Sequence, residues 1–472
     1  MMAVHAVNES PMAAIMSISP GRRRCTESGT SSERMLKFCS SALVICHFVF
    51  PIFAQQQAID ELLRLSGIQR EPFTPVNARG SHLPIYTNFE NLRDIYSVFR
   101  GSLVNRNEKA NLELNRQRGK LQKKIQKSQK FPCPLNGTRS AEVPDSVHRL
   151  RPGDIDIIAA MGDSLTAGTA IMSESLLDDI AEYRGVVSTG GGLRDWRTFL
   201  TLPNIIKVFN PQLYGYAIGN VVSRERASRF NVGEGSALTL DMPYQARVLI
   251  RRLERDPKVD MSKHWKLITL FIGGNDVCFD MCYYRTMEEF YQVHRRSLYK
   301  TLEILKAHIP RALVNVMSTP NIPDIVKGIN NLPLACEATH IFACHCIVRR
   351  KHDPQQLQDL SKAVRKVQEI DEEVANLPEF QSDDFAVVYQ PLMRNWYTPT
   401  NRKGNTDYRY FGPDCFHLSQ LGHAAVANML WNNMLQPVGA KDDSFHPKAF
   451  EVFECPSEER PYLATRGNSG KI

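Results

Sequence analysis

Short apolar runs alternate along the middle of this chain with longer stretches in which apolar residues recur at helical spacing. The runs fall at 155–160, 267–272, 313–317 and 385–389, with a weaker one at 213–218. Each is the length of a buried strand, and three end in glycine or polar clusters where a chain turns. Helical patterns occupy about 243–254, 287–308, 355–376 and 418–435. Strand and helix in turn predict an α/β domain built on a parallel sheet, over about 150–455. No internal repeat of the solenoid kind interrupts it.

Outside that region the pattern loosens. Residues 35–54 join a basic start at Lys37 to an apolar stretch ending in Ala54, then Gln55-Gln56-Gln57. They read as a secretory signal, with an uncut signal anchor as the alternative. Residues 1–34 lack periodicity, and Met35 is a second candidate start. Residues 55–149 form an extension in which 91–99 has helical spacing and Pro132, Pro134, Gly137 and Pro144 mark a linker, while 456–472 is a tail. No apolar tail closes the chain, so the expectation is a secreted, untethered protein.

The remaining composition refines this picture. Of 472 residues, 43% are hydrophobic and 23% charged, which excludes disorder as the general state. Removing 1–54 leaves eight cysteines: 133, 278, 282, 336, 344, 346, 415 and 455. An even set in an exported chain implies disulfides, in a connectivity that the spacing leaves open. The cluster of Cys336, His340, Cys344, His345 and Cys346 lacks paired Cys-x-x-Cys or His-x-x-x-His spacing, so no metal is expected. Asn136-Gly137-Thr138 is a candidate glycosylation site. The net charge of +8 is matched by the 100–130 stretch alone, where ten Lys and Arg face two Glu. Arg100–Lys130 is thus a solvated arm or a contact for anionic membrane surfaces. It has no interleaved aromatics, which argues against nucleic acid as partner.

Three polar clusters carry candidate chemistry. Gly162-Asp163-Ser164-Leu165 follows the first strand, where open α/β sheets place their ligand crevice. Gly273-Gly274-Asn275-Asp276 follows the strand at 267–272, and a strand-end amide can donate to a developing oxyanion. Asp414-Cys415-Phe416-His417 precedes the last helix, and its spacing lets a carboxylate orient an imidazole. Taken singly, the serine reads as an N-cap, the asparagine as an Asx-turn, and His417 or His423 as structural. No Gly-x-Ser-x-Gly elbow, Walker loop or His-Glu-x-x-His occurs.

These blocks resemble the GDSL, or SGNH, serine hydrolases. Longer motifs are similar to the phospholipase B branch: Thr201-Leu-Pro-Asn-Ile, Phe230-Asn-Val-Gly-Glu-Gly-Ser-Ala, Asp241-Met-Pro-Tyr-Gln-Ala, 265–278 and 430–439. The resemblance covers roughly 75–465 and implies a three-layer α/β/α fold with a parallel central sheet. It implies Ser164 as nucleophile, His417 as general base and Asp414 as its orienter. The implied oxyanion hole is the Ser164 N–H, Gly235 and the Asn275 side chain, with Gly233 and Gly190-Gly191-Gly192 as rivals for the glycine. No cofactor is expected. The implied activity is a secreted esterase acting on phospholipids and lysophospholipids. Alternatives are an esterase for sugar acetyl, retinyl or other lipid esters, or a catalytically silent lipid-binding protein. Animal membrane enzymes of that branch have tandem units and a C-terminal anchor, whereas one unit without an anchor is the expectation here.

Overall fold

The computed structural model describes residues 108–470. The expected leader at 35–54, the expected helix at 91–99 and the start of the basic run lie outside them. In chain order the elements are α1 (Glu108–Gln117), β1 (Ile155–Gly162), α2 (Ser164–Ala167), α3 (Leu202–Phe209), α4 (Met242–Arg255) and β2 (Trp265–Phe271). There follow α5 (Met287–His308), β3 (Ala312–Met317), α6 (Ile322–Gly328), α7 (Leu334–Ala343), α8 (His345–Val348) and α9 (Pro354–Ala375). β4 (Phe385–Gln390) and α10 (Gln420–Leu435) complete the series.

The four strands pair in the order β1-β2-β3-β4, all parallel. Gly162, Phe271, Met317 and Gln390 stand in register, so the carboxyl ends form one level edge. Side chains alternate between the faces, and both faces are covered. Leu267, Leu313, Ala386 and Val388 pack with α3 and α10 on one side. Ile268, Leu270, Val314, Val316 and Val387 pack with α4, α5 and α9 on the other. Two covered faces explain why the strands read as continuous apolar runs, as parallel sheets require. Short polar caps start the long helices: Thr286 accepts from Glu289 N–H, Asp353 from Gln355 and Gln356, and Ser419 from Gly422. The three-layer α/β/α fold expected from the sequence is therefore the fold found. Among the described residues, no helix is long and apolar enough to cross a membrane.

One expected strand is not formed. The run at 213–218 makes only isolated bridges, Tyr214 to Ile157 and Ala217 to Gly191, with Ile158 N–H donating to Tyr214 O at 2.9 Å. Gly215 then adopts φ +107°, and any Cβ there would lie 2.3 Å from Ile158 O. The chain turns away, and Asn231 bridges to Ala160 further along β1. Two short contacts thus cover the β1 edge in place of a fifth strand.

Segments on both sides of 150–455 bond to the α/β body. Gln122 sits within the body: its N–H donates to Gln420 Oε1 at 2.7 Å, and its own side chain bonds Leu200 N–H and Trp196 O. Leu112 and Leu121 pack beside Tyr183 and Phe199. At the other end, Leu463 N–H donates to Leu150 O and Ala464 N–H to Met434 O, both at 2.7 Å. The contacts of the basic segment are made largely by buried Asn111, Asn115 and Gln122, while most of its lysines and arginines point outward. Polar residues bonding main chain leave no apolar period to read.

All eight cysteines pair: Cys133–Cys455, Cys278–Cys344, Cys282–Cys346 and Cys336–Cys415. The first joins segments 322 residues apart and fastens the two outer segments together. Replacing Cys133 and Cys455 together with Ser is expected to cost about 2–5 kcal/mol of stability. Thermal unfolding without reductant reads this as a lowered midpoint; an unchanged midpoint contradicts it.

Candidate active site

Ser164 is the first residue of α2, directly beyond the carboxyl end of β1. The turn that places it has three local causes. Gly162 takes φ +147°, where a Cβ would collide with Phe271 O at 2.0 Å. Gln245 of α4 clamps the same residue, accepting from Gly162 N–H at 2.9 Å and donating to Gly162 O at 2.8 Å. Asp163 caps the helical turn, its Oδ1 accepting from Leu165 N–H. As the first helical residue, Ser164 has an N–H with no acceptor within the helix.

His417 meets Ser164 from the far end of the sequence. Its Nε2 lies 2.8 Å from Ser164 Oγ, and its Nδ1 lies 2.5 Å from Asp414 Oδ2. The other Asp414 oxygen accepts the N–H groups of Phe416 and His417, each at 3.0 Å. Between them Cys415 sits at φ +56° and is tied by its disulfide to Cys336 of α7. His340 of α7 adds contacts from its Nε2 to Asp414 O and Cys415 O, both 3.1 Å. The turn is held from behind as well as from within.

The glycine and asparagine candidates lie on two neighbouring loops. Asn275 donates from Nδ2 to Ala237 O at 2.8 Å, which leaves its second amide hydrogen available. Glu234 N–H donates to Gly162 O at 3.0 Å, pinning the 233–237 loop to the serine turn. Gly233 packs on Thr166, and its N–H is taken by Asn231 Oδ1 at 3.2 Å. Among the described residues no acceptor takes the Gly235 N–H. In the Gly190–Gly192 run, Gly191 and Gly192 already donate to Val187 O and Ala217 O.

A serine hydroxyl, an imidazole and a carboxylate in one chain of hydrogen bonds are equipped for acyl transfer. The model of the GDSL-like Lipase/Acylhydrolase family matches residues 158–430, which span this whole arrangement. The chain belongs to that family. It is 38% identical over 336 residues to human "Phospholipase B1, membrane-associated" and 35% over 337 residues to the mouse protein. Each match takes in 70% of this chain and 22% of the relative, so the chain spans about a fifth of those proteins' length. A solved phospholipase A1 from Streptomyces albidoflavus NA297 shows 15% identity and a TM-score of 0.27, covering 57% of this chain and 95% of that one.

In this GDSL-family site the charges are coupled. Burial alone would push the Asp414 carboxyl up, but His417 and the two N–H donors hold it below its ordinary range. Burial opposes a charge on His417, yet Asp414 outweighs it, with Asp179 and Asp163 adding, so the imidazole is held above its usual value. Sequence reasoning missed both of those further carboxylates. Burial pushes Asp163 up to about 7, and burial with Asp414 nearby pushes Asp179 up to about 8. Asp163 carried a signal, being part of Gly-Asp-Ser; Asp179 carried none. His423 is separate: it is buried against Ser188 and depressed to about 3 by burial, so it stays neutral.

Other candidate features fall away from this site. Asp276 of the Gly-Gly-Asn-Asp block accepts Thr239 N–H on both oxygens at 3.1 Å. Cys282, His345 and Cys346 gather within 4.8 Å, but the two sulfurs are joined as a disulfide and offer no thiolate. A cavity of about 990 Å³ lined by Tyr214, Arg229, Arg252 and Arg255 does not include Ser164 or His417. Asn136 is exposed, and Thr138 two residues on is buried.

Asp163 gives a pH prediction. Its carboxyl is raised from 3.8 to about 7, so the folded state binds more protons than the unfolded state across that window. Stability contributed by this group therefore falls as pH rises through it. Asp163→Asn keeps the cap and removes the ionisation. Its thermal midpoint is expected to exceed that of the parent at pH 8 and to vary less with pH; parallel curves for both proteins contradict this.

Proposed function

We propose that this chain is a secreted serine esterase that hydrolyses acyl esters of phospholipids and lysophospholipids through an acyl-Ser164 intermediate. The observation that carries the reading is the continuous Asp414–His417–Ser164 hydrogen-bonded chain. The relatives' printed names, phospholipase B1, support the substrate class. Four disulfides support an oxidising compartment.

In the proposed reaction His417 takes the Ser164 hydroxyl proton as Oγ attacks the ester carbonyl. Asp414 holds Nδ1–H and stabilises the imidazolium so formed. The tetrahedral oxyanion is met by the Ser164 N–H, the Gly235 N–H and the spare hydrogen of Asn275. His417 then protonates the departing lysophospholipid or glycerophospho-alcohol oxygen, leaving the acyl group on Ser164. Water, deprotonated by His417, attacks the acyl-enzyme; fatty acid leaves and the serine is restored. An esterase for other acyl esters would use the same steps, and activity on sugar acetates without release of fatty acid from phospholipid would favour it. A silent lipid-binding protein has no need of the intact proton path. Exposed Lys123, Lys124, Lys127 and Lys130 offer attraction to anionic lipid, worth about 1 kcal/mol each near such a surface.

A fluorophosphonate probe is expected to label the parent protein and not Ser164→Ala; equal labelling of both contradicts the reading. Asn275→Ala is expected to lower kcat by about 10²–10³ with little change in KM. A KM effect alone would remove Asn275 from the oxyanion hole.

The raised imidazole also fixes the sign of the pH profile. Neutral His417 is the active base, so kcat/KM should fall as pH drops below its raised pKa. Asp414→Asn should slow the reaction by about 10⁴ and move that acidic limb to lower pH. A limb that stays in place contradicts the assigned pair.

A further inference from the structure

Helix α7 is built inside out. At about 100° per residue, Leu334, Ala335, Ala338, Ile341 and Phe342 fall on one arc of the helix. An apolar arc of this kind ordinarily faces the core. Here all five are exposed, with Leu334 at 73% and Phe342 at 72%. The side turned inward carries Cys336 and the polar His340, both 3% exposed. Exposed apolar groups standing singly need no explanation, but a whole helix face marks an interaction surface.

That face is fastened to the reaction centre. Cys336 is bonded to Cys415, and His340 contacts the carbonyl oxygens of Asp414 and Cys415. The His340 ring stands 5.7 Å from Phe416, which stands 5.4 Å from His417. The charges suit a phosphate-bearing surface. Glu337, the one acid on α7, is ion-paired with Lys351, and Arg349 and His352 are exposed in the segment that follows α8. Leu176 and Leu177 are exposed as well, two to three residues before Asp179, whose charge reaches His417.

We propose that the outer face of α7, carried by Leu334, Ile341 and Phe342, docks the enzyme onto a phospholipid surface and so presents lipid molecules to Ser164. The apolar side chains enter the acyl region, while the flanking basic residues meet the phosphates. This rests on the phospholipid reading above. A lipid layer docked on α7 lies beside the loop that carries His417.

The test separates docking from chemistry by measuring vesicle binding in a Ser164→Ala background. Neutral phosphatidylcholine vesicles at high salt remove the electrostatic contribution of the basic segment. Leu334→Gln with Phe342→Gln should weaken partitioning at least about tenfold. With Ser164 intact, the same pair should leave turnover of a soluble short-chain p-nitrophenyl ester unchanged while hydrolysis of vesicle phospholipid falls.

A single Phe342→Trp guards against misfolding of the double variant. The four native tryptophans are buried, so the introduced indole reports its own surroundings. Its emission should shift to the blue when vesicles are added. Undiminished binding by the double variant, or no shift in the emission of the introduced indole, overturns the proposal. Dissociation of a dimer by the double variant with vesicle binding retained overturns it in favour of a second copy. Vesicle binding with soluble-ester turnover but no phospholipid hydrolysis sinks the substrate reading and leaves the docking face standing.

Discussion

The contact between Ser164 Oγ and His417 Nε2 joins residues 253 apart in sequence at 2.8 Å, and much of the molecule serves to hold it. A hydrogen bond tolerates little error in distance or direction, so both ends must be fixed by more rigid parts. One end stands on the edge of a four-stranded parallel sheet whose carboxyl ends are level. The other stands on a turn closed by Gly412 N–H donating to His417 O at 2.7 Å, directly before α10. The segments that carry the two ends also touch where Gly412 packs so closely on Ala170 that a Cβ would lie 3.0 Å from the Ala170 Cβ. Only small residues allow that approach.

Buried polar groups do the fine placement. Arg184 is fully buried, yet it meets Glu182 at 2.7 Å, Asn231 Oδ1 at 2.9 Å and Val221 O at 3.0 Å. Asn231 in turn donates to Thr166 O at 2.8 Å, within the helical turn that carries Ser164. Such a network adds little net stability once the desolvation of its charges is counted, but it specifies one arrangement of loops. It replaces, at the β1 edge, the order that a fifth strand would have supplied. On the opposite side of the sheet, His294 bonds Asp371 at 2.7 Å, and burial, which alone would lower its pKa, is outweighed by Asp371 so that the ring is raised to about 10. Asp371 also accepts from Thr319 Oγ1, tying α9 to the end of β3. This second His–Asp pair resembles the first in chemistry but has no serine partner among the described residues.

How much of this could be read from the sequence follows from where the information is local. The four strands are continuous apolar runs, the long helices are periodic, and Asp414 and His417 lie three residues apart, so all were legible. Their meeting with Ser164 was not, because nothing local fixes a contact across 253 positions; only the family resemblance supplied it. The run at 213–218 looks like a strand until Gly215 bends it. The packing of the basic segment was open in the sequence because polar side chains anchor it: Asn111 to the Tyr183 hydroxyl, Asn115 to Met172 O, and Gln122 to Trp196 O and Leu200 N–H. Asp179 stands near His417 by virtue of a loop path that no spacing announces. Helix α7 was not legible: its stretch read as a cysteine and histidine cluster, and even a periodic arc gives a face and not the side on which solvent lies.

The parts then form one sequence of causes. A level sheet edge presents the serine turn, Gln245 and Gly162 shape it, and the Cys336–Cys415 bond and His340 steady the turn that brings His417 to it. The central claim is that Ser164 becomes acylated by a phospholipid. Rapid acid quenching of the protein with phosphatidylcholine, followed by peptide mass spectrometry, reads this directly. An added fatty acyl mass on the peptide containing Ser164, during turnover only, is the result expected. Fatty acid release with no acyl peptide, or with the acyl group on another residue, contradicts the mechanism.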